Sequence, residues 1–150
     1  MINTRERQAL FLSIKPKYVK KILDGEKTVE LRKSMPCKVS KGNMILIYST
    51  APEKELIGFC EIEKIVCASP SELWSQVNKK AGVTKEEFED YFHQNETACA
   101  IHIKNIEKFI SPIKLNRIKE LIPKFAPPQT YKYFDFDDIT SLSMEQIMVT

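Results

Sequence analysis

Residues 9–32 read ALFLSIKPKYVKKILDGEKTVELR, and this stretch predicts a strand, a helix and a second strand. Residues 9–14 are mostly apolar, which is typical of a buried strand. Pro16 suits the first turn of a helix, where its missing N–H is not needed. Gly25 suits the position just after a helix, because glycine tolerates a left-handed backbone. Residues 27–32 then follow at once as the second strand.

The second strand carries a charged pair on one face. Strand alternation places Thr28, Glu30 and Arg32 on one side, and Val29 and Leu31 on the other. A glutamate two residues from an arginine can form an ion pair that holds the guanidinium in a fixed orientation. Such a guanidinium suits phosphate oxygens or a base edge, because its donors form a rigid fork.

Lys27 belongs by parity to the apolar face of that strand, although its place at the strand start also allows it to turn outward. If the amine is half-buried, its pKa falls and it can act as a base or nucleophile. The alternative for the whole group is structural. Glu30 and Arg32 then form only a surface ion pair, worth about 0–1 kcal/mol.

The rest of the chain predicts short strands with helices inserted late. Capping-box spacings at Ser69 and Thr84 predict two helix starts, Gly58 predicts a bulge, and residues 126–129 are non-regular because consecutive prolines break both ladders. The predicted strands are 44–48, 56–66 and 98–110, and the predicted helices are 70–80, 85–92, 112–121 and 142–148. This order favours an α+β barrel of about five to six strands with flanking helices over a doubly wound parallel sheet.

Length and composition are those of an ordinary globular chain. The 150 residues fit one domain, 1–150, and the hydrophobic and charged fractions of 43% and 29% are typical of such proteins. No apolar run approaches the roughly 20 residues of a membrane-spanning helix. The polar start at residues 1–7 argues against a secretory signal. The four cysteines are therefore predicted to be reduced thiols, and the chain is predicted to be cytoplasmic.

The net charge of +3 is unevenly distributed along the chain. Residues 1–50 hold 11 Lys/Arg against 4 Asp/Glu, whereas residues 51–150 hold 12 against 16. A basic first third can steer an anionic partner such as a nucleic acid or nucleotide. The alternative is a solvated surface whose charges are neutralised by acidic neighbours in the fold.

Neither a metal site nor a cofactor is predicted. Cys60 and Cys67 are not spaced as a C-x-x-C pair, and strand parity separates Cys99 from His102. Four glycines in the whole chain are too few and too scattered for a phosphate-binding loop.

The segment Gly25-Glu-Lys27-Thr-Val-Glu30-Leu-Arg32, placed after a strand and a helix, resembles the G-x-K-x-x-E-x-R signature of the ASCH family. The turn at 41–43, the strand end Tyr48-Ser49, the strand glycine at 57–58 and the Pro-Pro-Gln element at 126–129 also fit members of that family. The resemblance is strong over residues 9–66 and weaker to about residue 131, which leaves about 111–150 as a C-terminal extension. It implies a β-barrel similar to the PUA fold, with RNA or modified nucleotides as ligands.

The first hypothesis is accordingly a module that binds RNA or a modified nucleotide in a basic cleft. Lysines of the first helix region meet phosphates, and Arg32 contacts a base together with Tyr48 or Tyr131. No membrane partner is expected, and the sequence does not determine an oligomeric state. The candidate ligand-binding residues are Lys15, Lys17, Lys20, Lys27, Glu30, Arg32, Tyr48, Ser49, Gln129 and Tyr131.

The second hypothesis is a hydrolase acting on RNA or a modified nucleoside, in which Lys27 and Glu30 are catalytic in general acid–base roles. One ASCH branch acts on N4-acetylcytidine with a Lys-Thr-Glu trio, and Lys27 matches its lysine. Glu30 stands where that branch has threonine. The branch's glutamate falls near Ala81, with Glu86 or Glu87 able to shift in, so two of the three positions differ. The third hypothesis is a protein-interaction or regulatory domain.

Overall fold

The computed structural model describes residues 8–147, which form six strands and five helices. Their bounds, in chain order, are β1 (Ala9–Ile14), α1 (Pro16–Leu23), β2 (Val29–Arg32), β3 (Met44–Ser49), β4 (Glu55–Ala68), α2 (Pro70–Val77), α3 (Lys85–Tyr91), β5 (Ala98–Lys114), α4 (Leu115–Leu121), β6 (Tyr131–Phe134) and α5 (Phe136–Ile147). The strand–helix–strand order predicted from residues 9–32 is confirmed.

The six strands form one sheet in the order β2-β5-β4-β3-β1-β6, curled into a half-barrel with helices around it. β1 and β3 are parallel, and the other neighbouring strands are antiparallel. The sheet is therefore mixed. The prediction of an α+β fold with a mixed barrel of five to six strands is confirmed.

Three apolar clusters hold the sheet and its helices together, and alternation along β1 separates two of them. Leu10, Leu12 and Ile14 belong to the first cluster, which also contains Val19 and Ile22 of α1. The other face of β1 contributes to a second cluster. Its core is formed by Ala9, Phe11, Tyr48, Phe125, Phe134 and Leu142. The third cluster joins β2 and β5 to α2 and α3. Because both faces of β1 are covered, all six of its residues are buried.

The connection from α1 to β2 sets the position of the charged pair. Gly25 has φ +83°, the left-handed conformation expected just after a helix. The backbone N–H of Lys27 donates to Lys21 O and that of Thr28 donates to Lys80 O, at 3.1 and 2.9 Å. These bonds lie outside the sheet. β2 consequently begins at Val29, two residues later than predicted.

The prediction of a helix beginning at 112 is wrong, because β5 continues to Lys114. Ile113 and Lys114 pair with Leu56 and Glu55 of β4. The register between β4 and β5 shifts between Leu56 and Gly58, which leaves an irregular stretch of β5 that includes Pro112. A proline is tolerated in a strand at such a bulge, and only α4 follows as a helix.

Two other helix bounds differ from the prediction. α2 ends at Val77, where the Asn78 amide donates to the carbonyls of Trp74 and Ser75. α5 begins at Phe136, because Asp135 and Asp138 accept each other's backbone N–H at its start. Its predicted last residue, 148, lies outside the described residues. Among the helices within residues 8–147, none has the length and apolar character needed to cross a membrane.

The prediction that all four cysteines are reduced is wrong for two of them. Cys67 and Cys99 form a disulfide between β4 and β5, whereas Cys37 and Cys60 are free. The two residues are direct register partners with Cα atoms 4.1 Å apart. Their separation of 32 residues carries no spacing signal, so the pairing follows from the strand register alone.

Candidate functional site

Arg32 connects the two ends of the curled sheet. It lies at the end of β2, the edge strand, opposite Cys99 of β5. Its NH2 group donates to Ser13 O of β1 at 3.2 Å, and NH1 donates to Thr130 O at 3.3 Å. Thr130 immediately precedes β6 at the opposite edge. The guanidinium therefore bridges a gap between sheet edges that no strand pairing spans.

Glu30 lies beside Arg32 and is equally buried. The Oε1 atom is 3.9 Å from NH2 of Arg32, and both side chains are about one-tenth exposed. Oε2 of Glu30 and Nε of Arg32 are buried without a hydrogen-bond partner among the described residues. An unsatisfied buried acceptor next to an unsatisfied donor is costly in a folded protein.

Lys27 is almost completely buried, with 1% of its surface exposed. Its Nζ donates to Ala81 O at 2.6 Å and lies 5.1 Å from the centre of the Tyr18 ring. Burial lowers the pKa of this amine, and the nearby Arg32 lowers it further, against an opposing effect of Glu30. The lysine turns inward rather than outward, and the conditional prediction of a lowered pKa agrees with its burial.

Gly82 makes the burial of Lys27 possible. It has φ +65°, and a Cβ atom added to it lies 2.9 Å from Lys27 Cβ. The carbonyl of the preceding Ala81 accepts the hydrogen bond from the Lys27 amine. The segment between α2 and α3 thus covers Lys27. Where its backbone approaches the Lys27 side chain, the residue is a glycine, so no side chain stands between the two.

We expect Gly82→Ala to destabilise the fold more than Gly25→Ala. Both glycines are left-handed, and this conformation costs a non-glycine residue about 1–2 kcal/mol. Only Gly82 adds a clash with Lys27, whereas a Cβ at Gly25 meets nothing within 4 Å. Urea unfolding of the two variants measures the difference. Equal losses of stability would show that Gly82 does not constrain Lys27.

A cavity of about 560 Å³ opens beside these groups and is here called the Arg32 cavity. Among the predicted ligand-binding residues, six line it: Lys15, Lys17, Lys27, Glu30, Arg32 and Gln129. Its walls also include Ser13, Tyr18, Glu87, Asp90, Tyr91 and Thr130. Four cationic and three acidic side chains meet here, so the cleft is mixed in charge rather than purely basic.

The structure places the other four candidates away from this cavity. Lys20 is exposed on α1, and Tyr131 packs with Tyr133 against the first apolar cluster. Tyr48 lies in the second cluster with its ring 5.3 Å from that of Phe11. Ser49 is fully buried, and its Oγ has no hydrogen-bond partner in the described part of the chain.

Glu87 joins α3 to α1 at the cavity wall. Its Oε2 accepts from Lys17 Nζ and from the Tyr18 hydroxyl, both at 3.1 Å. Its Oε1 accepts the backbone N–H of Thr84, which completes a capping box. These hydrogen bonds lower the pKa of Glu87 to about 2, and the bond from the backbone of Thr84 has the largest effect. The sequence identified Glu87 chiefly as a capping residue, and its cavity contacts depend on residues 70 positions away.

Another cavity, of about 580 Å³, lies along β4 and β5 and is lined by Met44, Phe59 and Phe109 among others. None of the candidate ligand-binding residues lines it. No group of three metal-ligating side chains occurs within the described residues. The chemistry that the sequence singled out is concentrated at the Arg32 cavity.

Comparison with known proteins supports one family. A family model described as a domain of unknown function, DUF365, matches residues 8–125. The ASCH domain-containing ribonuclease of Zymomonas mobilis is 32% identical over 142 residues, which cover 95% of each chain. A crystal structure of ASCH from Zymomonas mobilis superposes with a TM-score of 0.86 over 93% of this chain and 95% of that one.

A ribosomal protein shows a weaker similarity. The large ribosomal subunit protein uL22 of Ureaplasma parvum is 26% identical over 110 residues. The match covers 73% of this chain and only 35% of that protein. The similar segment is therefore a minor part of a longer polypeptide.

Proposed function

The chain belongs to the ASCH domain family, and from that membership we propose that it binds RNA or a nucleotide in the Arg32 cavity. The observation that carries the proposal is the cavity wall, which brings Lys15, Lys17, Lys27 and Arg32 together around about 560 Å³. Cationic side chains neutralise phosphates, and this supplies most of the non-specific affinity for nucleic acids. A cytoplasmic location is proposed from the RNA ligand alone, because the Cys67–Cys99 disulfide removes the argument from reduced thiols.

The acidic groups of the cavity favour a nucleotide over a simple anion. Glu30, Glu87 and Asp90 line the same space as the cations. Carboxylates repel a bare phosphate, but they accept hydrogen bonds from the amino groups of bases. A ligand with phosphates and a base can contact both the cationic and the acidic side chains of the cavity. The Zymomonas relative is named a ribonuclease and the Ureaplasma relative a ribosomal protein, and these names support RNA as the ligand.

We expect the wild-type protein to bind a fluorescein-labelled RNA oligonucleotide with an affinity that falls as salt rises. Removing one phosphate contact by Lys15→Ala should weaken binding and reduce the slope of log affinity against log salt by about 0.7–1. Fluorescence anisotropy between about 50 and 200 mM salt measures both effects.

Lys119→Ala is the matched control, because Lys119 is exposed on α4 and does not line the cavity. It should bind like the wild type. The proposal fails if the wild type does not bind RNA at the lowest salt concentration. It also fails if the two lysine variants lose affinity equally.

Cleavage of the bound RNA is the second candidate function. It is favoured by the buried amine of Lys27, because burial lowers its pKa and so favours the neutral amine that a general base requires. The name of the Zymomonas relative points the same way. Incubation of labelled RNA with wild type and with Lys27→Met, with and without divalent metal, tests it. Cleavage by the wild type alone supports a role for Lys27, whereas no cleavage under any condition leaves binding as the function.

A further inference from the structure

Tyr91 is an exposed aromatic residue in the wall of the Arg32 cavity. It is the last residue of α3 and is 40% exposed. Among the described side chains, the other exposed large hydrophobics are Met35 and Ile110, and neither lines this cavity. The Tyr91 ring is therefore accessible to a ligand that enters the cavity.

The Tyr91 ring is held in place by an aromatic chain that leads into the core. Its centre is 4.8 Å from that of Phe92 in an edge-to-face arrangement. Phe92 contacts Phe88 at 4.7 Å, and Phe88 contacts Trp74 at 4.9 Å. Phe88 and Phe92 are both buried in the third apolar cluster. The ring is thus oriented before any ligand arrives, which reduces the entropy cost of binding.

A lysine lies over the exposed ring, because Nζ of Lys33 is 5.0 Å from its centre. Burial raises the pKa of the Tyr91 hydroxyl, Arg32 lowers it and Glu30 raises it, so both members of the charged pair act on this tyrosine. An aromatic ring beside lysine and arginine matches the way proteins hold unpaired nucleotides, in which the base stacks and the phosphate meets a cation.

Tyr18, the other tyrosine of the cavity wall, is already engaged. The amines of Lys17, Lys21 and Lys27 lie 4.8, 5.9 and 5.1 Å from its ring centre. Its hydroxyl donates to Glu87. Tyr18 therefore serves to hold the lysines and α3. Within the described part of the chain, Tyr91 has one amine near its ring, that of Lys33, and is the more exposed of the two tyrosines.

We propose that Tyr91 stacks on one nucleobase of the bound RNA, with Lys33 contacting the adjacent phosphate. This inference rests on the proposed function and adds a residue and a contact to it. The base enters the cavity beside Arg32 and Glu30, which both line it. Stacking itself is tolerant of sequence, because every base has a π face.

The test compares a short oligouridylate with an abasic oligomer of the same length and phosphate number. We expect Tyr91→Ala to weaken binding of the oligouridylate by about tenfold, and Tyr91→Phe to keep near wild-type affinity. Tyr91→Leu keeps apolar bulk without a π ring and should also lose affinity. Ile110→Ala, which removes another exposed hydrophobic side chain outside the cavity, should bind like the wild type.

The abasic oligomer separates stacking from a structural role. Wild type and Tyr91→Ala should bind it equally, because it has no base to stack. Equal losses on both oligomers, or a tenfold loss in Ile110→Ala, would overturn the inference. The inference is also overturned if Tyr91→Ala and Tyr91→Leu bind oligouridylate like the wild type while Lys15→Ala binds it more weakly. That result leaves the proposed function standing. If the wild type binds neither oligomer, the proposed function fails together with the inference.

Discussion

Arg32→Ala is expected to destabilise the protein by about 3–5 kcal/mol, because it leaves the Glu30 carboxylate buried without its cation. The substitution also removes the hydrogen bonds to Ser13 O and Thr130 O that bridge the sheet edges. Urea unfolding measures the loss of free energy. Removing both charges with Glu30→Gln and Arg32→Met should recover much of the stability, since the cost arises from the unpaired charge.

Lys85→Ala is the control for Arg32→Ala. Lys85 forms a 3.9 Å ion pair with Glu89 on α3, and both side chains are largely exposed. Its loss should cost less than about 1 kcal/mol. The bridging role of Arg32 is contradicted if the two alanine variants are equally stable, or if the double variant is no more stable than Arg32→Ala.

Ligand binding is measured on Arg32→Lys, which keeps the charge and removes the planar fork. We expect its affinity for RNA to fall by roughly tenfold or more, because a hydrogen bond to a charged group contributes about 1.5–3 kcal/mol. Wild-type affinity in a folded Arg32→Lys variant would exclude the guanidinium as a ligand anchor.

Lys27→Met is expected to change how stability depends on pH. The folded pKa of Lys27 is lowered from 10.5, chiefly by burial, so the unfolded chain holds this proton more tightly. Below the folded pKa the wild type carries the full penalty of a buried ammonium group. As pH rises from the folded pKa to 10.5, the unfolded chain binds more protons and the wild type gains stability. The methionine variant lacks this gain.

The measurement is urea unfolding of both proteins at several pH values up to 10.5. The stability of the wild type minus that of Lys27→Met should rise with pH, at a slope of at most about 1.4 kcal/mol per pH unit, the limit for one proton. Lys20→Met, on an exposed lysine, should change stability by less than about 0.5 kcal/mol. A flat or falling difference for Lys27→Met would falsify the lowered pKa.

The Glu30–Arg32 pair and Lys27 affect the stability of the fold and also line the cavity proposed for RNA. Glu30, Arg32 and Lys27 are charged and buried, which is unfavourable for folding unless each charge has a partner. The guanidinium of Arg32 donates hydrogen bonds to backbone carbonyls. The amine of Lys27 donates to one carbonyl and lies over an aromatic ring. Oε2 of Glu30 and Nε of Arg32 have no hydrogen-bond partner among the described residues, although both side chains belong to the wall of the Arg32 cavity. The protein retains this cost at the same residues that carry the family signature.

Local sequence determined the elements around this site. The signals that predicted these elements act over a few residues of sequence, and they are the apolar run of β1, Pro16 at the start of α1 and Gly25 after it. The capping box predicted at Thr84 is present, whereas at Ser69 the structure shows one half of the predicted box, in which the Ser69 side chain accepts the backbone N–H of Glu72. The ASCH resemblance is confirmed by the comparisons. That residues 1–150 form one domain stays a prediction.

Tertiary structure decided which of these residues meet. Lys27 is covered by Ala81, 54 positions away, and Arg32 reaches Thr130 across 98. Cys67 pairs with Cys99 because of strand register, and Tyr91 enters the cavity because α3 packs against α1 through Glu87. Caps and periodicity depend on neighbours in sequence, whereas burial, pairing and cavities depend on the closing of the curled sheet. For this reason the sequence identified Lys27, Glu30 and Arg32, and only the fold assigned them their partners.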